Sequence, residues 1–363
     1  MLTGLTPVIV VAMSGGVDSS VAMCLLRERE GGPRSARLVG ASLNLLEGCS
    51  SFQDTLPNAG AICRELDIPF YLIPMEEDFR RIVIEDFITT YLQGRTPNPC
   101  VICNQRIKFD MFDGEMQSRL RRDGALDVGQ TPLLATGHYA RVERIGGGWG
   151  ILKGRDPEKD QSYMLYRLPR ELLPRLEFPL GGLTKDEVVE LARAWGLPNV
   201  HARESQDVCF LQGRYGDFLV QRTGRGDLYD GGEIVDTRGR IVGRHRGYVH
   251  YTVGQRRGLG LDNGPWYVSG VDAAKNRVYV GRKRDVLKRR LTVSRLNWLV
   301  DAPHSHFPCG VELRYQSREV PCRVYPDGPD LLTVALKKGA VVTPGQSAVF
   351  YDGDQVLGGG IID

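Results

Sequence analysis

The sequence predicts an α/β chain, with an N-terminal doubly wound parallel sheet followed by a small β-rich middle domain and a C-terminal β-barrel. Three observations carry that prediction. Val8 to Met13 (VIVVAM) is a short, unbroken, largely β-branched run, as expected of a strand covered on both faces. Strand-like and helical patterns then alternate, the rhythm of a parallel sheet. After about residue 212 the helices give way to short β-rich runs separated by Gly, Asp-Gly and Asn-Gly turns.

Taken in order, a Gly-rich turn follows the first strand, and Ser19 to Glu30 has helical periodicity. Leu38 to Leu45 reads as a strand, Asn58 to Leu66 as a helix, and Pro69 to Ile73 as a strand. Helical patterns at Glu77 to Leu92 and Asn104 to Arg121 precede a strand at Pro132 to Thr136. Trp149 and its glycines read as a hairpin tip. Thr184 with Glu187 three residues later forms a capping-box pattern that opens a helix over Leu183 to Trp195. Gly232 to Asp236, Arg240 to Gly243, Trp266 to Asp272 and Arg277 to Gly281 are the middle strands, and Ala348 to Tyr351 and Gln355 to Ile362 the last. The expected domains are 1–212, 213–285 and 286–363.

Length and composition agree with several folded domains. The chain has 363 residues, 42% hydrophobic and 25% charged, which excludes disordered, collagen-like and coiled-coil classes. No apolar run approaches the roughly 20 residues that span a bilayer, so no membrane partner is expected. Met1 to Met13 lacks a basic start and a small-residue cleavage site, and a cytoplasmic location is the expectation. Eight cysteines are too sparse for a disulfide framework. Cys24, Cys49, Cys63, Cys309 and Cys322 read as core or incidental thiols. Net charge is only +3, but the cations concentrate late: Arg277 to Arg295 holds eight Lys or Arg against Asp285 alone. A polyanion, most simply a nucleic acid, fits that half; a solvated basic face fits equally.

Ser14-Gly15-Gly16-Val17-Asp18-Ser19-Ser20 lies between the first strand and the first helix. Its glycines allow close backbone approach, and the helix N-terminus offers N–H groups to phosphate oxygens. The lysine of a P-loop is missing from this loop. An acidic Asp18 in an anion site makes sense if it helps hold Mg²⁺.

The loop resembles the pyrophosphate loop of ATP pyrophosphatases, which share an adenine nucleotide alpha hydrolase-like fold and cleave ATP between its α and β phosphates. Further segments narrow the resemblance: Thr96-Pro97-Asn98-Pro99-Cys100-Val101-Ile102-Cys103-Asn104, Ala135-Thr136-Gly137-His138-Tyr139, Lys159-Asp160-Gln161-Ser162-Tyr163, Ser205-Gln206-Asp207-Val208-Cys209-Phe210, the Gln255-Arg256-Arg257 loop, Arg314-Tyr315 and Gln346. Together they are similar to the tRNA-specific 2-thiouridylase family along essentially the whole chain. The resemblance implies ATP-dependent adenylation of the 2-oxygen of the wobble uridine in tRNAs for Lys, Glu and Gln, then sulfur transfer from a persulfide carrier or sulfide. It implies ATP contacts at Ala12, Met13, Ser14, Gly15, Gly16, Val17, Asp18, Ser19, Leu43 and Gly137. Asn98, Pro99 and Cys100 would meet the flipped base, and His138, Lys159, Asp160, Gln161, Arg314, Tyr315 and Gln346 other parts of the tRNA. Cys103 matches the nucleophile and Cys209 the persulfide carrier. Cys100 departs from the family, which usually has Asp there. Two outcomes stay open: an intact two-cysteine relay, or a [4Fe–4S] cluster held by Cys100, Cys103 and Cys209. Rivals are an amide-forming synthetase, which lacks its ammonia source here, and a tRNA-binding regulator, which has no need of three thiols.

Overall fold

The computed structural model describes residues 6–29, 36–45, 56–200, 208–211 and 213–363. The chain forms two compact units. One takes in the described residues of Met1–Ile82 and Cys100–Phe210, with Asp354–Val356; the other takes in Val83–Pro99, Leu211–Gly353 and Leu357–Asp363.

The first unit begins with β1 (Val8–Ala12), α1 (Val17–Arg29), β2 (Arg37–Asn44), α2 (Leu56–Glu65) and β3 (Phe70–Pro74). It continues through α3 (Phe112–Arg122), β4 (Leu133–Thr136), the hairpin β5 (Ala140–Ile145) and β6 (Gly148–Lys153), β7 (Leu176–Glu177) and α4 (Lys185–Ala194). The parallel sheet runs in the order β3-β2-β1-β4-β7. Val10 of β1 pairs with Val39 on one side and Leu134 on the other. The sheet is therefore wound in both directions from β1, and its switch point lies between β1 and β4, where such sheets bind ligands. Ile9, Val11 and Met13 pack with Met23 and Leu26 of α1 and Ile62 of α2. Val17 and Val21, elsewhere on α1, join Val188 and Ala192 of α4. Burying each of these larger side chains contributes about 1.5–3 kcal/mol.

Local signals hold where the sequence reads them. The Thr184 amide donates to Glu187 Oε2 at 2.8 Å and the Glu187 amide to Thr184 Oγ1 at 3.3 Å, the reciprocal cap that starts α4. The expected hairpin forms, with Gly146, at φ 60°, and Gly147 taking the turn, and Trp149 lies just past the tip in β6, opposite Arg144.

In the second unit, helix Glu85–Leu92 packs on helix Tyr215–Thr223. Phe87 meets Tyr215 and Phe218 with ring centroids 6.1 and 6.0 Å apart, and Tyr91 stacks on Tyr215 at 5.7 Å. These aromatic contacts explain why 83–99 belongs to this unit, although the sequence places it inside an N-terminal domain reaching residue 212. A four-stranded sheet follows in the order β10-β11-β8-β9, from β8 (Gly232–Asp236), β9 (Ile241–His245), β10 (Tyr267–Asp272) and β11 (Arg277–Gly281).

The chain then forms β12 (Leu287–Trp298), β13 (Phe307–Glu312), β14 (Val320–Gly328), β15 (Leu331–Val341), β16 (Ser347–Asp352) and β17 (Gln355–Ile362). They run β12-β15-β14-β13-β16-β17, and pairing of β12 with β17 closes a six-stranded antiparallel barrel. Val293, Val311, Val324, Val334 and Phe350 fill it.

Candidate functional site

The turn after β1 is wired by its own hydroxyls. The Ser14 amide donates to Ser19 Oγ at 3.2 Å, and Ser19 Oγ and Ser20 Oγ each donate to Gly16 O at 3.0 Å. Gly15 has φ 77°, a left-handed conformation that a side chain would disfavour. Ser14 stays exposed, whereas Ser19 and Ser20 are buried. Three distant residues complete the turn. Asn199 Nδ2 donates to Gly15 O at 2.8 Å and to Ser20 Oγ at 2.9 Å. Lys185 Nζ pairs with Asp18 Oδ1 at 2.8 Å, and Tyr139 Oη donates to the same oxygen at 2.7 Å.

Gly137 ends β4 against this turn. A Cβ there would stand 3.0 Å from the Asp18 carbonyl carbon and the Ser19 nitrogen, so the close approach of this segment to α1 favours glycine. Met13 and Leu43 are buried at the ends of β1 and β2, Ala12 is half-buried, and Val17 opens α1 from the core. The turn thus presents the N–H groups of a helix start, with a lysine and a carboxylate beside it. An anion fits there. A cation on Asp18 would share the carboxylate with Lys185, so the residues suit a metal that arrives together with a phosphate.

His138 follows Gly137, its Nδ1 2.7 Å from Thr136 Oγ1. Its ring lies 5.8 Å from both Phe109 and Phe178. Burial, and secondarily Lys108, lower its pKa well below the usual histidine range, so it is a neutral hydrogen-bonding group near pH 7. Gln161 accepts the Tyr139 amide at 3.0 Å and returns its own amide to Tyr139 O at 2.8 Å. Asp160 accepts from the Gly154 and Ser162 amides and from Ser162 Oγ, and burial raises its carboxyl despite these bonds. Asp160 and Gln161 therefore brace the segment that carries Tyr139, and Lys159 is half-buried beside them.

Cys100 is exposed in the short helix Pro99–Ile102, and Cys103 is buried. Cys103 opens a π-helical stretch, Cys103–Met111, an uncommon winding often found at functional sites. Burial pushes the Cys103 thiol up to about 11, against an opposing pull from Lys108. The Cys100 thiol is also raised: although its surface is open, enough protein surrounds it for desolvation to act. Cys209 is half-buried next to Phe210, whose ring edge meets Phe79 at 5.8 Å. Ser205, Gln206 and Asp207 lie outside the described residues, as does Cys49. Among the described residues no three His, Cys, Asp or Glu side chains are gathered to hold a metal ion. As placed, Cys100, Cys103 and Cys209 do not form a cluster-ligand set. Cys24 and Cys63 are buried and raised to about 11 by desolvation, as inert core thiols would be.

Within the second unit, Gln346 is buried and donates through Nε2 to Thr96 O at 3.0 Å and Pro97 O at 2.9 Å. It anchors the stretch leading to Asn98, which is half-buried, and Pro99, which is buried. Arg314 is exposed and Tyr315 half-buried in the turn between β13 and β14. Lys288, Arg289 and Arg290 are exposed on β12, with a register shift between Lys288 and Arg290, and Lys337 and Lys338 are exposed on its neighbour β15. Arg256 and Arg257 are exposed after Gly254, whose φ of 90° turns the chain beside Val341.

Sequence reasoning missed Lys185 and Asn199. A lysine at the first position of a helix opposes the helix dipole, and that misfit was the available signal for Lys185. No local signal marks Asn199.

The family model described as "tRNA methyl transferase HUP domain" matches residues 7–213. Those described as a tRNA methyl transferase PRC-barrel domain and an aminomethyltransferase beta-barrel domain match 217–282 and 288–362. The tRNA-specific 2-thiouridylase MnmA of Geobacter metallireducens is 44% identical, over 98% of this chain and 96% of its own. The protein of the same name from Chlorobium phaeovibrioides is 40% identical, over 98% and 97%. Among solved structures, the U34-tRNA thiolase NcsA of Methanococcus maripaludis is 19% identical, covers 60% of this chain and 66% of its own, and superposes with a TM-score of 0.35.

Proposed function

The chain belongs to the tRNA-specific 2-thiouridylase family, and from that premise we propose that it thiolates the wobble uridine of tRNA using ATP. The observation that carries this reading is the turn at the switch point, where a helix N-terminus, Lys185 and Asp18 converge. The family models' descriptions speak of methyl transfer. The chain's own chemistry points instead to adenylation and sulfur: a phosphate-type turn and thiols at Cys100, Cys103 and Cys209.

A pyrimidine 2-oxygen leaves poorly until it is adenylated; AMP is then a good leaving group. The amides of Gly15 to Ser19 and the Lys185 ammonium would receive the β and γ phosphates, charge that grows as pyrophosphate departs. Mg²⁺, when bound, would neutralise phosphate charge, and Asp18 would hold it. Tyr139 and Lys185 keep that carboxylate aimed before ATP arrives. A stacked anticodon base cannot be reached, so it must be turned out into a pocket. Asn98 and Pro99, on the stretch anchored by Gln346, would meet it; His138 would sit beside the tRNA as a neutral hydrogen-bonding group.

For the sulfur step, Cys209 would carry a persulfide and Cys103 attack its inner sulfur. Terminal sulfur is then released to C2 of the adenylated uridine, AMP leaves, and a Cys103–Cys209 disulfide remains to be reduced. The Cys103 thiol, held near 11 by burial, must lose its proton before it attacks, and Lys108 supplies charge that favours the thiolate. The C-x-x-C of Cys100 and Cys103 keeps the cluster alternative in view, and iron separates the two. Anaerobically purified, colourless, iron-free protein that thiolates fully from a persulfide supports the relay. About four irons per chain and loss of thiolation in Cys100→Ala would replace it. The exposed cations of β12 and β15 would grip RNA phosphates, an interaction that needs no sequence reading.

The direct test incubates the protein with tRNA, ATP, Mg²⁺ and a persulfide source, then digests the tRNA to nucleosides for mass spectrometry. The expected result is 2-thiouridine with matching AMP and pyrophosphate, both dependent on tRNA. ATP turnover that ignores tRNA, or tRNA bound without thiolation, would overturn the reading.

A further inference from the structure

Cys309 and Cys322, which the sequence reads as core or incidental thiols, are brought together by strand register. Cys309 in β13 is the direct antiparallel partner of Cys322 in β14, and their sulfurs lie 3.5 Å apart. Cys322 is buried and Cys309 half-buried.

The neighbouring prolines fix what kind of pair this is. Opposed residues in an antiparallel ladder alternate between pairs that exchange both backbone hydrogen bonds and pairs that exchange none. Pro308 faces Arg323, and Pro321 faces Gly310. Proline has no N–H, so those two pairs must be the non-bonded kind. The cysteines between them then occupy a hydrogen-bonded pair, whose Cα atoms stand about 5.5 Å apart. A disulfide accepts Cα separations of about 4.4–6.8 Å. The backbone therefore already has disulfide spacing, and the sulfurs are already neighbours.

We propose that Cys309 and Cys322 are a reversible disulfide site, closed by thiol–disulfide exchange with a small organic disulfide. The Cys309 sulfur, once deprotonated, attacks one sulfur of the reagent R–S–S–R, giving a mixed disulfide and releasing one thiol RSH. The Cys322 sulfur gives up its proton and attacks the Cys309 sulfur, expelling the second RSH. Two protein thiols are oxidised and one organic disulfide is reduced to two thiols, so atoms and electrons balance. The Cys322 hydrogen bond, burial, and the carboxylates of Glu319 and Asp352 hold the Cys309 thiol far above its ordinary range, which makes exchange slow at neutral pH. The bond would pin the base of the turn that presents Arg314 and Tyr315. The covalent site stands whether or not those two residues touch RNA.

The test treats the folded full chain with 2-hydroxyethyl disulfide, alkylates remaining thiols, and digests without reduction. The expected product is one linked pair of peptides containing Cys309 and Cys322, two hydrogens lighter than the separate thiols and lost on adding dithiothreitol. The treated protein should also melt a few degrees higher, because the loop is closed in its unfolded chain. Cys309→Ser and Cys322→Ala should each lose both the linked peptide and the shift; two variants guard against one that fails to fold. Wild-type protein in which both cysteines are alkylated, or found only as separate adducts of the reagent, would overturn the proposal.

Discussion

The turn after β1 and the basic face of β12 and β15 hold charge in opposite ways. In the turn every charged or hydroxyl group is fixed: Lys185 is matched to Asp18, Ser19 and Ser20 are bonded to Gly16, and Asn199 ties Gly15 to Ser20. On the barrel, Lys288, Arg289, Arg290, Lys337 and Lys338 stand exposed on long, solvated stems. A fixed array can recognise one shape and stabilise charge as it develops; an exposed set attracts any polyanion and is screened by salt. The difference teaches where chemistry and where grip should reside, and each half can be broken without the other.

The largest effect is expected at Asp18. Asp18→Ala should lower AMP formation by about 100-fold or more, because one pre-aimed charge beside the departing pyrophosphate is worth several kcal/mol at the transition state. Binding of tRNA should change less than about twofold; a variant with near-normal turnover would remove Asp18 from the chemistry. Next comes the barrel. Lys288, Arg289 and Arg290 replaced together by Ala should weaken tRNA binding by about 10- to 100-fold at low salt. The slope of log affinity against log salt should flatten by about 0.7–0.9 for each RNA phosphate that is no longer neutralised. Turnover at saturating tRNA should hold, and an unchanged slope would take this face out of the interface.

A third expectation concerns pH. With the Cys103 thiol near 11, its thiolate fraction rises tenfold per pH unit up to that value. Single-turnover sulfur transfer should therefore climb by up to about tenfold per unit between pH 7 and 9, while AMP formation stays flatter. A flat sulfur-transfer profile would mean that bound substrate, rather than bulk pH, sets the Cys103 proton. The smallest effect is expected at Asn199. Asn199→Ala removes two bonds to the turn, at about 0.5–1.5 kcal/mol each, but also removes a buried Oδ1 that has no hydrogen-bond partner among the described residues, which offsets part of the loss. The Michaelis constant for ATP should rise several-fold with kcat little altered. A fall in kcat alone would assign Asn199 to the chemical step.

The legible parts of the molecule are those whose information is local. VIVVAM announces β1 because a strand buried on both faces needs a continuous apolar run. Thr184 and Glu187 announce α4 because a reciprocal cap spans one helical turn. SGGVDSS announces a tight strand-to-helix turn because its glycines and the helix start are contiguous in the chain. Gln346, which the resemblance assigns to tRNA, has a structural task that no local pattern announces: its Nε2 donates to the carbonyls of Thr96 and Pro97, some 250 residues earlier in the chain.

By itself, then, the sequence determined the alternation that makes the sheet, the turn at its switch point, the β-rich second half and the cysteine positions. Tertiary structure alone decided that Lys185 and Asn199 reach that turn, that 83–99 packs on helix Tyr215–Thr223, and that Cys309 faces Cys322. The reason is physical. Spacing within a strand or helix is set by backbone geometry over a few residues, so it is written locally. A contact between distant segments depends on strand order and register, and those follow from how all the apolar faces are buried together.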